Sequence, residues 1–189
     1  EQLIEEIQAQ RDLTYAEAGE LEVNTETTDV GPLLEDLSAR YKRHVVAADR
    51  RIELGEIWDG QLVTDPRLLA RVLGNMVKNA LEASSAGETV SLGSKVHGDE
   101  VEFWVNNPTV MPREVQLQVF KRSFSTKGSG RGIGTYSIRL LGERYLGGRV
   151  SFGAKVYRLK MGEDGRSQGH PDRHSDVSIG GHDSGSHGP

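Results

Sequence analysis

The stretch "TDPRLLARVLGNMVKNALEAS", residues 64–84, constrains the fold of this chain more than any other. Asp65 suits a helix N-cap, and Pro66 suits the first helical position, where its missing N–H leaves nothing unsatisfied. Leu69, Val72, Leu73, Met76, Val77 and Ala80 then recur at helical spacing and make a broad apolar face. A face that wide has to be buried against a second layer. Strands to supply it are expected over residues 51–54, 61–63, 89–96 and 101–105, the last with alternation of Val101, Phe103 and Val105.

Further helices are expected on either side. Residues 1–18 carry a stripe of Leu3, Ile4, Ile7 and Leu13, and residues 30–47 carry Leu33, Leu34, Leu37 and Tyr41. A short helix is expected over 113–120 and another over 132–146, stopped by Gly147 and Gly148 and followed by the strand "RVSFG". Helices and strands thus mix in one α/β domain of roughly residues 20–160. The first helix begins without a cap, so the chain reads as part of a longer protein. After Met161 the sequence "GEDGRSQGHPDRHSDVSIGGHDSGSHGP" keeps only Val177 and Ile179 as sizeable apolar residues, so residues 161–189 are expected to be a disordered polar tail. His170 and His174 have a metal-like spacing there, with no other ligands organised around them.

Composition narrows the class. Hydrophobic residues make up 35% of the 189, enough for a modest core, and no apolar run reaches the roughly 18 residues of a membrane span. The absence of cysteine rules out a disulfide framework and thiolate metal sites, which fits a reducing cytoplasm. With 28 acidic against 23 basic residues the balance argues against a nucleic-acid partner. Yet between Val115 and Gly142 every charged residue is positive: Lys121, Arg122, Lys127, Arg131 and Arg139. Such a segment serves either an anionic ligand or a solvated basic face.

Two groups of residues carry possible chemistry. At about 100° per residue, Asn75, Asn79 and Glu82 share a narrow arc of their helix, the two amides bordering its apolar face. Buried amides are costly without partners. They either hydrogen-bond a neighbouring loop or offer neutral oxygens to a magnesium ion or a nucleotide. The second group is "RSFSTKGSGRGIGT", residues 122–135, which has neither Walker nor dinucleotide-loop spacing. It places Gly130, Gly132 and Gly134 just before an expected helix, beside Lys127 and Arg131, a setting that favours anions.

"NMVKNALEA", "FKRSFSTK" and "GRGIGTYSIRLL", in this order and spacing, resemble the catalytic, ATP-binding domain of sensor histidine kinases, within the gyrase, Hsp90, histidine kinase and MutL ATPase superfamily. The resemblance implies a two-layer sandwich of helices on a mixed β-sheet, the Bergerat-type fold, over residues 21–160. It implies ATP and Mg²⁺, with Asn79 as metal ligand and Asn75 and Lys127 as catalytic residues. Glu82 would orient water near the metal or simply be solvated. Nucleotide contacts would come from Asn75, Asn79, Asn106, Phe120, Phe124, Ser125, Thr126, Lys127, Gly130, Arg131, Gly132, Gly134 and Thr135.

Residues 1–20 would end the helical hairpin that normally carries a phosphoacceptor histidine. No such histidine precedes the domain, and His44 reads as a structural or surface residue within a helix. The implied reaction is transfer of the ATP γ-phosphoryl group to a hairpin histidine for relay to a response regulator receiver domain. The full-length protein would be a homodimer with this domain in the cytoplasm, membrane-associated or not, and the fragment alone a monomer. Three features depart from the family pattern. Asn106 stands where an aspartate reads adenine, Pro108 and Val110 replace two glycines, and the closing Gly-Thr-x-Phe motif is absent. These keep a degenerate nucleotide-binding regulatory module as the alternative.

Overall fold

The computed structural model describes residues 2–109, 114, 120, 133–151 and 157–160. Helix α1, Gln2–Ala18, leads into strand β1, Glu26–Asp29, and helix α2, Val30–Lys42. Strands β2, Arg51–Leu54, and β3, Gln61–Thr64, precede helix α3, Pro66–Ala83. Strands β4, Thr89–His97, and β5, Glu100–Asn106, form a hairpin. Helix α4, Ile133–Arg139, runs into a π-helical turn, Leu140–Tyr145, and strands β6, Arg149–Val150, and β7, Tyr157–Lys160, follow.

The main sheet has the order β2-β4-β5-β7-β6, with β2 parallel to β4 and the other pairings antiparallel. β1 and β3 form a separate two-stranded ribbon. Helices α2 and α3 pack on β2, β4 and β5, and α4 packs on α3. This is the expected sandwich of helices on a mixed sheet. Its core joins Leu34 and Leu37 of α2, Leu69, Leu73, Val77 and Leu81 of α3, Val90 and Leu92 of β4, and Val101 and Phe103 of β5. Each such side chain contributes about 1.5–3 kcal/mol on burial.

Helix α3 forms as its sequence dictates. Asp65 caps it by accepting a hydrogen bond from the Leu68 amide at 3.0 Å, and the other Asp65 oxygen accepts one from the Asn24 amide at 2.9 Å. Gly74 lies where α2 crosses, since an added Cβ would stand 3.0 Å from the Tyr41 hydroxyl. The β4–β5 hairpin turns through Gly98 at φ 62°, in the left-handed region that a two-residue mirror-image turn requires.

Several expectations need correction. Helix α2 stops at Lys42, not residue 47, because His44 leaves the helix and its Nδ1 accepts the Val46 amide at 3.0 Å. Local side-chain capture of a backbone N–H competes with helix continuation. His44 therefore caps a 3₁₀ turn, Val45–Ala47, that turns Ala47 into the core. The alternation of β5 is less clean than expected: Val105 is only half-buried, and Glu102 on the opposite face is buried against His97 at 2.8 Å. Strands β1 and β7 were not expected at all. The helix expected over 132–146 is α4 plus the π turn, and the described part of "RVSFG" pairs only at Arg149 and Val150. The helix expected over 113–120 and the tail after Met161 fall outside the described residues, apart from 114 and 120.

Helix α1 joins the domain through its C-terminal half. Leu13 and Ala16 are buried, whereas Ile7 is exposed. Asp12 accepts from the Arg71 guanidinium at 2.8 Å and pairs with Arg67 at 3.4 Å, and the Tyr145 hydroxyl donates to the Ala16 carbonyl at 2.6 Å. Burial lowers the pKa of Arg71 from its ordinary value, and the Asp12 carboxylate opposes that shift. Removing Asp12 would leave a cation largely out of water. Asp12→Ala is therefore expected to cost about 2–3 kcal/mol in urea unfolding, with most of it recovered in the Asp12→Ala/Arg71→Met double variant. A loss below about 0.5 kcal/mol would mean that the pair behaves as a solvated one.

Candidate nucleotide site

The C-terminal half of α3 brings its amides against the first turn of α4. Asn75 Nδ2 donates to Ser137 Oγ at 2.8 Å, and Ser137 Oγ donates to the Gly134 carbonyl at 3.0 Å. One turn along, Asn79 faces Gly134: a Cβ added there would lie 3.5 Å from Asn79 Oδ1 and 3.7 Å from Nδ2. Of the two readings that spacing left open, Asn75 thus fulfils the hydrogen-bonding one in part. Asn79 does not, for its Nδ2 is buried without a hydrogen-bond partner among the described residues. A buried amide donor left unmet costs about 1–3 kcal/mol, so its position calls for an acceptor. Glu82, a turn beyond Asn79, is half-buried.

The end of β5 approaches the same helix. Thr109 Oγ1 donates to the Ala83 carbonyl at 2.8 Å, which fixes residues 107–109 beside the last turn of α3. Asn106, the expected base-reading residue, is exposed and sits opposite Ser91 of β4. The next residue, Asn107, is half-buried, and its Nδ2 is buried without a partner. The pleat explains the difference. Val101, Phe103 and Val105 point to the helices, and period two continues that face to 107 and sends 106 to the other side.

Among the expected contacts, Asn75, Asn79 and Gly134 therefore gather where α3 meets α4, and Thr135 is the next residue along α4. Phe120 is half-buried and carries the Arg139 guanidinium 5.4 Å from its ring centroid, which ties it to α4. Phe124, Ser125, Thr126, Lys127, Gly130, Arg131 and Gly132 lie outside the described residues. Sequence reasoning missed Ser137 and Asn107. A lone serine gives no local signal of a contact with Asn75, whereas extending the β5 alternation by one step points to Asn107.

Among the described residues no group of three or more His, Cys, Asp or Glu side chains could hold a metal ion, and no helix is long and apolar enough to cross a membrane. The residues seen together, Asn75, Asn79, Gly134 and Ser137, offer neutral amide, hydroxyl and carbonyl groups. Such a set suits a ligand that brings its own negative charge and with it most of a cation's ligands.

Residues 64–179 match the family model described as histidine kinase-, DNA gyrase B-, and HSP90-like ATPase. The chain is 38% identical over 87 residues to the sensor protein DegM of Bacillus sp. strain B21-2, covering 45% of this chain and 23% of that protein. It is 34% identical over 102 residues to the sensor histidine kinase CusS of Escherichia coli K12, covering 50% of this chain and 21% of that protein. The chain thus spans about a fifth of the length of these curated relatives. Among solved structures, the catalytic domain of histidine kinase ThkA superposes with a TM-score of 0.63 at 19% identity, over 72% of this chain and 95% of that one. ThkA in complex with response regulator protein TrrA also superposes, with a TM-score of 0.62 at 17% identity, over 84% of this chain and 48% of that one. These likenesses show the Bergerat-type fold. With its matched segment covering well over half of the sequence, this chain belongs to the histidine kinase-, DNA gyrase B- and HSP90-like ATPase family.

Proposed function

We propose that this chain is the ATP-binding catalytic domain of a bacterial two-component sensor histidine kinase. In this reading it passes the γ-phosphoryl group of ATP to a histidine on a hairpin domain, for relay to a response regulator. The observation that carries it is the buried, unpartnered Asn79 amide over Gly134, one turn from Asn75, at the junction of α3 and α4. Kinship with sensor kinases supports the reaction class, and ThkA, which is found with a response regulator, supports the receiver domain as partner. The full-length protein would act as a homodimer with this domain in the cytoplasm.

The residues fit a magnesium–nucleotide better than a bare metal ion. Asn79 would ligate Mg²⁺ through Oδ1, and its orphaned Nδ2 would then meet a phosphate oxygen. When bound, Mg²⁺ would supply positive charge to offset the charge that develops on the phosphates during transfer. Asn75 supports the phosphates or the metal's waters, and Glu82 orients water nearby. Lys127 and Arg131 neutralise phosphate charge from the loop that precedes α4. In the transfer, the bond from the γ-phosphorus to the β,γ-bridging oxygen breaks, a bond to an imidazole nitrogen forms, and ADP leaves with the electron pair. The protein's part is positioning and charge neutralisation.

Base recognition falls to Asn107 instead of Asn106, since the buried and unpartnered amide is that of Asn107. A carboxamide offers both an acceptor and a donor to the Watson–Crick edge of adenine.

Calorimetric titration with a non-hydrolysable ATP analogue is the test. Wild type should bind in a magnesium-dependent way, and Asn79→Ala should weaken that binding by about tenfold or more, some 1.4 kcal/mol. Magnesium-independent binding, or none, would remove the kinase reading. Phosphorylation of a supplied hairpin domain in trans would then distinguish a kinase from a nucleotide-binding regulator. In the same assay Asn107→Ala should weaken analogue binding about five- to tenfold, while Asn106→Ala stays within about twofold. The reverse order would return the base-reading role to Asn106.

A further inference from the structure

We propose that Ser137 is a positioning residue that sets the orientation of the Asn75 carboxamide, so that its oxygen faces the ligand, and that links this orientation to the first turn of α4. The inference rests on the nucleotide reading of the site and adds a residue outside all the expected contacts.

The Gly134 carbonyl can only accept, and Ser137 Oγ lies 3.0 Å from it, three residues on in the same helix. A serine hydroxyl has one proton, so that proton is committed to Gly134. Ser137 Oγ can then only accept from Asn75, 2.8 Å away, and the group facing it must be Nδ2. The opposite orientation would put Asn75 Oδ1 against the hydroxyl and demand the single proton twice. Asn75 Oδ1 is thereby turned away from Ser137 and left for a hydrogen-bond donor or a cation.

Burial makes the relay effective. Ser137 is only 2% exposed, so water has little chance to replace either bond. The relay also crosses between elements: Asn75 is on α3, whereas Gly134 and Ser137 are on α4, shortly after Lys127, Gly130, Arg131 and Gly132 in the sequence. Gly134 is also the residue facing Asn79. One hydroxyl thus ties Asn75 to the residue of α4 that faces Asn79. An alanine would keep the helix and almost the same volume but remove the acceptor that holds Asn75 Nδ2.

A double-mutant cycle on nucleotide binding tests this. Ser137→Ala should weaken magnesium–ATP analogue binding about five- to tenfold, by freeing the Asn75 amide to reverse. On an Asn75→Ala background the same substitution should have no further effect, because nothing is left to orient. Ser137→Thr, which retains the hydroxyl, should restore affinity. The inference is overturned if Ser137→Ala lowers thermal stability but leaves magnesium–nucleotide affinity unchanged, or if it weakens binding equally with and without Asn75. Should Ser137→Thr fold poorly, the cycle still decides. Failure of wild type to bind the analogue would instead strike at the nucleotide reading and take this inference with it, whereas binding without non-additivity strikes at Ser137 alone.

Discussion

Helix α3 has to meet two opposed demands along one cylinder. One side must be apolar enough to cover a five-stranded sheet, and it buries Leu69, Val72, Leu73, Val77 and Leu81 almost completely. The edge beside that face must hold amides that the core cannot satisfy. Packing fixes the rotation of the helix about its own axis. Once the apolar face is seated, Asn75 and Asn79 have little freedom to turn to bulk water, and they are presented to the start of α4. The same seating explains why one amide can remain unpartnered: turning it outward would unseat the leucines.

The two ends of α3 also have different companions. Its N-terminal half carries Arg67 and Arg71, which hold Asp12 of α1, while its C-terminal half carries the amides. Tyr145, in the turn that continues α4, donates to the Ala16 carbonyl, one turn of α1 beyond Asp12. The segment that precedes the domain therefore touches both helices that build the site, yet touches neither at the site itself. In the proposed kinase, this puts the end of the hairpin and the nucleotide on opposite stretches of one rigid rod.

How much could be read beforehand depended on the range of the interaction. Asp65, Pro66 and the leucine spacing announce α3 because capping and amphipathicity are local, and the β4–β5 hairpin is local too. The end of α2 was misjudged because one imidazole, His44, captures an amide two residues on, a detail that periodicity does not carry. Strand β1 escaped because "ETTD" has no apolar residue to alternate, and β7 because a single Tyr157–Leu159 alternation is too brief to stand out. At the site, the asparagine pair was legible from spacing, whereas the burial of Asn107 and exposure of Asn106 follow from the pleat, which motif alignment does not carry. Ser137 was invisible: its partner lies 62 residues upstream, and only tertiary structure brings them together.

The central claim is that the amide edge of α3, facing the start of α4, is the metal and phosphate end of a nucleotide site. A crystal structure of the chain with Mg²⁺ and a non-hydrolysable ATP analogue tests it most directly. The account predicts Asn79 Oδ1 roughly 2.1 Å from the ion, its Nδ2 now bonded to a phosphate oxygen, and Asn107 against the base. A nucleotide bound elsewhere, or one bound there with Asn79 Nδ2 still unpartnered and no contact to the ion, would contradict it.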